Sequence, residues 1–168
     1  EHRSDIFKVC RFFSTHEHGE KLTSLEGYIS RMKPGQNNIF YISGENVESL
    51  KNSPQLEGFR ARGIEVLFMT DTIDDFWLQQ ARDYEGKTFK SVTKGDVDLD
   101  NLGGQSSASD TTDDAKPESN KDNDNNDLKP LLDAMRKVLA EQIEDVRISK
   151  RLTDSPVCLI APEHGVDM

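Results

Sequence analysis

Residues 39–69 have the sequence IFYISGENVESLKNSPQLEGFRARGIEVLFM. The apolar runs at its two ends, 39–42 and 64–69, are continuous or nearly so, which is typical of strands covered on both faces. Between them Ser53-Pro54 marks the start of a helix, because proline is tolerated in the first turn, where its missing amide costs nothing. Gly63 marks the end of that helix. A strand, a helix and a second strand in this order predict a parallel β-α-β unit.

The segment before this unit predicts another helix. Thr23-Ser24-Leu25-Glu26 matches a capping box, in which the Thr23 hydroxyl accepts from the amide of Glu26 and the Glu26 carboxylate reaches back. The helix stops before Pro34-Gly35. Its spacing places four apolar residues on one face: Leu25, Tyr28, Ile29 and Met32.

The segment after this unit continues the alternation. Asp71 or Thr72 is expected to cap a third helix that reaches about Tyr84, and residues 87–92 are expected to form a strand. The fold class predicted for residues 1–92 is therefore α/β, a layered α-β-α domain with a mostly parallel sheet. Its core is predicted to include Leu25, Ile42 and Val66.

Acidic residues are concentrated in one stretch. Residues 96–127 hold ten carboxylates against two lysines, and so carry −8 of the formal charge of −10 of this 168-residue chain. The remainder is nearly neutral and has no basic stripe, which argues against nucleic acid as a partner. Residues 93–127 also lack aromatic residues, so we predict an acidic flexible linker there. An ordered acidic loop is the alternative.

Residues 128–168 predict an incomplete α+β segment. Apolar residues recur at helical spacing from Leu128 to Ile143, and Pro130 falls in the first turn, where it is tolerated. Alternation from Val146 and a second apolar run at 157–161 predict a hairpin after the helix. About 40 residues are marginal as an independent core, so we expect the opening of a second domain. The chain begins at Glu1 without a methionine and ends just after an apolar run, so we expect a fragment of a larger protein.

Motifs for catalysis or metal binding are weak in this sequence. It contains no glycine-rich dinucleotide or P-loop motif. Asp71, which follows a predicted strand, is better explained as a helix cap, and Ser43-Gly44 lacks the frame of a nucleophile elbow. His16-Glu17-His18 has no third ligand at a fitting spacing, which favours a solvated loop. We therefore expect no catalytic, cofactor-binding or metal-binding residue in this chain.

The two cysteines, Cys10 and Cys158, are too few and too far apart for a disulfide framework. There is no apolar run of membrane-spanning length and no signal peptide. Reduced thiols in the cytoplasm and no membrane partner are the expectation. Apolar neighbours on both sides of Cys158 predict a buried small thiol.

Five blocks of sequence resemble the 90-kilodalton heat-shock chaperones, most closely their bacterial HtpG-type branch. The blocks are LTSLEGYISRMK at 22–33, IFYISGE at 39–45, SPQLEGFRARGIEVL at 53–67, YEGKTF at 84–89 and RLTDSP at 151–156. They occur in the family's order and span nearly the whole chain outside 93–127. The resemblance implies the end of the middle domain in residues 1–92 and the start of the carboxy-terminal domain in residues 128–168.

This resemblance also implies a function. Full-length relatives are homodimers that bind partly folded client proteins and use ATP and Mg²⁺ to open and close. The family's ATP site and catalytic arginine lie outside the matched region, so we expect this chain not to be an enzyme. The family's dimerising helices also lie outside that region, so we expect the chain to be largely monomeric. Two other classes stay open: a small α/β nucleotide- or phosphate-binding enzyme domain, and an acidic protein-interaction module.

One helix is the candidate site for client contact. At 100° per residue, Phe76 and Leu78 fall on opposite flanks of the face that carries Trp77, so at least one of the two is expected to be exposed. The alternative is that both layers of the domain bury all three residues, because helices in layered domains often have wide apolar faces. In the family this end of the middle domain contributes to client contacts. The resemblance therefore makes four residues candidates: Asp75, Phe76, Trp77 and Gln79.

Overall fold

A computed structural model describes residues 3–81, 83–95, 99 and 128–161. They fall into two compact units, the first made of residues 3–95 with 99 and 151–161, the second of residues 128–150. The helices of the first unit are α1 (Arg3–Val9), α2 (Leu25–Ser30), α3 (Val47–Lys51), α4 (Glu57–Ala61) and α5 (Asp74–Gln80), with short 3-10 turns at His16–Gly19 and Pro54–Leu56. Its strands are β1 (Phe13–Ser14), β2 (Asn38–Ser43), β3 (Leu67–Met69), β4 (Asp83–Tyr84) and β5 (Lys87–Ser91).

The five strands form one sheet in the order β1-β3-β2-β5-β4. Strand β2 lies at its centre and pairs in parallel with β3, where Ile42 faces Phe68, and with β5, where Ile39 faces Phe89. The edge strands β1 and β4 pair antiparallel with their neighbours. The predicted α/β class and the parallel β-α-β unit are confirmed, because the continuous apolar runs form the central strands.

Apolar residues cover both faces of the sheet, which gives the predicted three layers. One cluster packs β2 and β3 against α3 and α4, and includes Phe40, Ile42, Leu50, Phe59, Val66 and Phe68. The other packs the opposite face against α1, α2 and α5, and includes Phe7, Phe12, Leu25, Tyr28, Ile39, Leu67 and Met69. Successive strand residues alternate between the clusters, as the pleat requires. The three predicted core positions, Leu25, Ile42 and Val66, are each at most 2 % exposed.

A buried polar network joins α2 to the sheet. The Tyr28 hydroxyl donates to the carbonyl oxygen of Glu65 at 2.8 Å and accepts from Gln36 Nε2 at 3.2 Å and from the amide of Phe40 at 3.0 Å. The Glu65 carboxylate pairs with the Arg31 guanidinium, with both N–O distances at 2.9 Å. Burial is the main cause that raises the pKa of the Tyr28 hydroxyl, which is therefore held as a neutral donor.

The N-terminal cap of α2 differs from the prediction. Ser24, rather than Thr23, is the cap, and its hydroxyl accepts from the amide of Gly27 at 3.0 Å. The Thr23 hydroxyl instead accepts from Arg31 Nη2 at 2.7 Å. Both residues have a suitable hydroxyl, and that of Thr23 is taken by Arg31, the residue that ends α2. The prediction for Pro54 is confirmed, since it lies in the first turn of the 3-10 segment, which Ser53 caps.

The third predicted helix is shorter than expected. Helix α5 ends at Gln80, and neither Asp71 nor Thr72 caps it with a side chain, because its cap position is Ile73. Tyr84 lies in β4, which turns into β5 through Glu85 and Gly86. Both turn residues have positive φ, 50° and 74°, as a two-residue hairpin turn requires. The hairpin ends the helix early and adds an edge strand.

The second unit contains α6 (Lys129–Leu139), which has Pro130 in its first turn as predicted, although the helix stops before Ile143. The hairpin expected over 146–161 is not formed: residues 146–160 contain no strand, and Ala161 forms a single bridge with Lys94. Residues 151–161 belong to the first unit, which divides the predicted segment 128–168. The predicted linker 93–127 lies outside the described residues, apart from 93–95 and 99, and its boundaries stay a prediction.

Candidate functional site

Helix α5 is anchored to the sheet by Trp77. Its ring packs against Phe7, Phe12 and Phe89, with centroid distances of 5.7, 5.9 and 5.5 Å. Its Nε1 donates a hydrogen bond of 2.7 Å to Oδ1 of Asp74. Aromatic packing and a satisfied indole N–H are what hold a partly buried tryptophan in one orientation. Trp77 is therefore mainly a structural anchor.

The same helix turns Phe76 outward. Phe76 is 68 % exposed and Ile73, one turn earlier, is 64 % exposed. Residues three apart lie on the same face of a helix, so these two side chains are neighbours. Leu78, by contrast, packs against the inner cluster. The prediction that Phe76 or Leu78 is exposed is confirmed, and the exposed residue is Phe76.

The four candidate residues for client contact thus differ in their exposure. Phe76 is open to a partner, whereas most of Trp77 is used inside the fold. The side chains of Asp75 and Gln79 are outside what the structure describes. Sequence reasoning missed Ile73. The missed signal is its place at the cap position of α5, one turn before Phe76, where it shares the exposed flank of the helix.

The carboxylate of Asp74 shapes the start of α5. It is 6 % exposed, and besides Trp77 it accepts from the amide of Asp71 at 3.2 Å. The thiol of Cys10 lies nearby, and its pKa is raised first by burial and then by the negative charge of Asp74. Ile73 and Phe76 are therefore exposed on a helix whose start is held by the contacts of Asp74. These two side chains can make apolar contacts with a partner protein.

Comparison with known proteins identifies the family of this chain. The profile of the Hsp90 protein family matches residues 1–168. The chain belongs to the Hsp90 chaperone family. Similar proteins include the chaperone protein HtpG of Wolbachia pipientis wMel, which is 45 % identical over 168 residues and covers all of this chain.

Two further relatives with the same name are equally close to this Hsp90 chain. HtpG of Roseobacter denitrificans is 46 % identical over 166 residues, or 99 % of this chain. HtpG of Paramagnetospirillum magneticum is 44 % identical over 168 residues, or the whole chain. These matches cover 25–26 % of the relatives, so the chain spans about a quarter of their length.

The histidine loop singled out in the sequence does not form a metal site with other described residues. Over the described ranges, no three His, Cys, Asp or Glu side chains are grouped so that they could hold a metal ion. His16 Nε2 lies 3.7 Å from Oε1 of Glu17, and Glu17 bonds to Lys21 at 3.2 Å. No helix within the described part of the chain is long and apolar enough to cross a membrane.

Cys158 is less buried than predicted. It is half-buried, and its neighbours Val157 and Leu159 are 62 % and 65 % exposed. The apolar run is therefore not a core strand, because residues 157–160 lie along the surface of the first unit. Burial is nevertheless the largest of the causes that raise the pKa of the Cys158 thiol.

Proposed function

We propose that this chain acts as part of an ATP-dependent molecular chaperone that binds partly folded client proteins and assists their folding. Its own contribution is a client-contact surface centred on Phe76 and Ile73. The observation that carries the proposal is the exposure of these two apolar side chains on a helix fixed by Trp77. Exposed apolar groups on a rigid support are typical of interaction sites.

The wider function is proposed from membership of the Hsp90 family. The full-length protein would be a homodimer in the cytoplasm that uses ATP and Mg²⁺ to drive opening and closing. Two free cysteines fit a reducing compartment. This chain alone would bind clients without turning over ATP and would be largely monomeric. Neither nucleic acid nor membrane is a proposed partner.

A binding assay with a permanently unfolded model protein tests the client surface. We expect weak, saturable binding by this chain. Phe76→Ala and Ile73→Ala should each weaken it by about 1–2 kcal/mol if the residue is an anchor, because a few exposed aromatic and apolar residues dominate such contacts. Val157→Ala is the matched control, since Val157 is 62 % exposed but lies away from α5.

The binding result is interpreted together with the urea unfolding midpoint of each variant. Weaker binding with an unchanged urea midpoint supports the client surface, because neither exposed side chain contributes to the core. Equal effects of Phe76→Ala and Val157→Ala would refute it. Saturable ATP binding or turnover by this chain would restore the nucleotide-binding enzyme as the better explanation.

A further inference from the structure

Residues 151–161, here called the strap, belong to the first unit, although residues of the second unit precede them in the sequence. Hydrogen bonds attach the strap at four points along its length. These are Arg151 at its start, the turn 153–155 in its middle, the carbonyl of Leu159, and Ala161 at its end. The Ala161 amide donates to the carbonyl of Thr93 at 2.9 Å, and its carbonyl accepts from the amide of Gly95 at 3.2 Å.

The middle attachment depends on one carboxylate. Oε2 of Glu57, the first residue of α4, accepts from the amides of Thr153, Asp154 and Ser155 at 2.8, 3.0 and 3.2 Å. Its Oε1 accepts from the Ser155 hydroxyl. Four donors on one carboxylate make charge-assisted bonds that no neutral side chain can reproduce. The Ser155 hydroxyl, followed by the amides, lowers the pKa of Glu57 to about 2, so it stays ionised near neutral pH.

The first attachment is also polar. Arg151 is 3 % exposed, and its guanidinium donates to the carbonyl of Val92 at 2.7 Å and to that of Gly95. Its backbone lies directly on Gly58, where an added Cβ would be 2.7 Å from the Arg151 carbonyl oxygen. Further along, Gln55 Nε2 donates to the carbonyl of Leu159 at 2.5 Å.

Apolar burial contributes little to this docking. Of the eleven strap residues, all of which the structure describes, Arg151 and Ala161 are the buried ones. The three large apolar side chains Val157, Leu159 and Ile160 are 62 %, 65 % and 38 % exposed. An element held by charged hydrogen bonds and not by a shared core can detach without unfolding what lies beneath it.

We propose that the strap is a releasable element of the fold and that Glu57 is its latch. Withdrawing the Glu57 carboxylate frees residues 152–160 while the five-stranded sheet and both apolar clusters stay intact. Release uncovers Glu57 at the start of α4 and frees Cys158. The device is independent of the client surface, which lies on the other face of the sheet with α5.

The two free cysteines provide a built-in test. Cys158 lies in the strap, whereas Cys10 packs against the cluster on the opposite face of the sheet. The rate at which each thiol reacts with a maleimide, read by mass spectrometry of peptides from the intact 168-residue chain, reports strap release and core opening separately.

Glu57→Gln is the decisive variant. The glutamine side chain replaces one carboxylate oxygen by an amide nitrogen, which is a donor and cannot accept from the donors of the strap. We expect labelling of Cys158 to accelerate at least tenfold and labelling of Cys10 to stay unchanged. Glu48→Gln is the matched control, since Glu48 is an exposed carboxylate on α3 whose partner is Lys51, and it should change neither rate. Ser155→Ala, which removes one of four donors, should accelerate Cys158 by a smaller factor.

Two results would overturn the proposal. An unchanged Cys158 rate in Glu57→Gln would mean that the carboxylate does not hold the strap. Equal acceleration of Cys10 and Cys158 would mean that the strap cannot leave without the core. Hydrogen exchange in the unmodified protein gives a second measurement: the amides of residues 153–155 should exchange at least tenfold faster than that of Phe40 in β2, and equal rates would count against release.

Discussion

The indole nitrogen of Trp77 and a carboxylate oxygen of Asp74 lie 2.7 Å apart across one turn of α5. This hydrogen bond links Asp74, the first residue of the helix, to Trp77, the residue that anchors α5 to the sheet. Successive residues of a helix are about 100° apart, so Phe76 and Leu78 lie on opposite sides of Trp77. Leu78 packs inward with Trp77, whereas Phe76 is 68 % exposed. One helix thus carries a structural aromatic residue and, next to it, one available to a partner.

Substituting the two aromatic residues should separate these roles. Trp77→Ala removes three ring contacts and one of the donors to the buried Asp74 carboxylate, so we expect a loss of about 2–3 kcal/mol, below the usual value for a fully buried tryptophan because Trp77 is partly exposed. Phe76→Ala should change stability by less than about 0.5 kcal/mol, as is usual for exposed positions. Urea unfolding of both variants checks this, and similar losses would contradict it.

Leucines at two nearby positions test the helix period of α2. Leu25 is fully buried and Leu22 is 56 % exposed. We expect Leu25→Ala to cost about 2–5 kcal/mol, the usual range for truncating a buried leucine. Leu22→Ala is the matched control and should leave the urea midpoint nearly unchanged.

Tyr28→Phe should be costly although it keeps the ring. The hydroxyl makes three hydrogen bonds in the interior, to Glu65, Gln36 and Phe40. Its removal leaves buried polar groups without a partner, so we expect a loss of about 1–3 kcal/mol in the free energy of unfolding. Since apolar burial is retained, a loss in this range would come from the polar network. No measurable change would show that water replaces the hydroxyl.

The strap should respond to acid in a defined window. The folded-state pKa of Glu57 is lowered to about 2 from a usual value of 4.5. Its contribution to docking is therefore fully present above pH 4.5 and is lost as the pH falls through about 2. The amide resonances of residues 153–155 should titrate with a midpoint near pH 2 in the unmodified protein. A midpoint near 4.5 would mean that the four hydrogen bonds are absent in solution.

Gly58→Ala should loosen the strap while favouring α4. Alanine is the better helix former by about 1 kcal/mol. Its Cβ would nevertheless lie 2.7 Å from the Arg151 carbonyl oxygen, which is too close, so the strap must move. We expect faster maleimide labelling of Cys158 with an unchanged or higher urea midpoint. Slower labelling would show that α4 shifts instead.

Sequence reasoning predicted the sheet because its central strands carry a strong local signal. The runs around Ile42 and Phe68 are continuous and apolar, and such runs pair in parallel when helices separate them. The expectation that Phe76 or Leu78 is exposed followed from the geometry of one helix, and the structure decided that the exposed residue is Phe76. These features depend on residues that are close in sequence.

The features that were missed depend on contacts and helix ends that no local sequence pattern shows. The choice of Ser24 over Thr23 as the cap follows from Arg31, which takes the threonine hydroxyl. The contact between Glu57 and the turn at 153–155 joins residues almost 100 positions apart, and neither segment carries a local pattern that announces it. The position of Ile73 outside the core was likewise set by where α5 begins.

The two outer strands of the sheet are each two residues long and run opposite to their neighbours. A long bare strand at the border of a sheet presents a row of unpaired amides and carbonyls that can recruit strands from other chains. Edge strands of two residues offer too few unpaired amides and carbonyls for a strand of another chain to pair with. A protein proposed to bind partly folded chains is thereby protected against pairing with them edge to edge, and so against starting their aggregation.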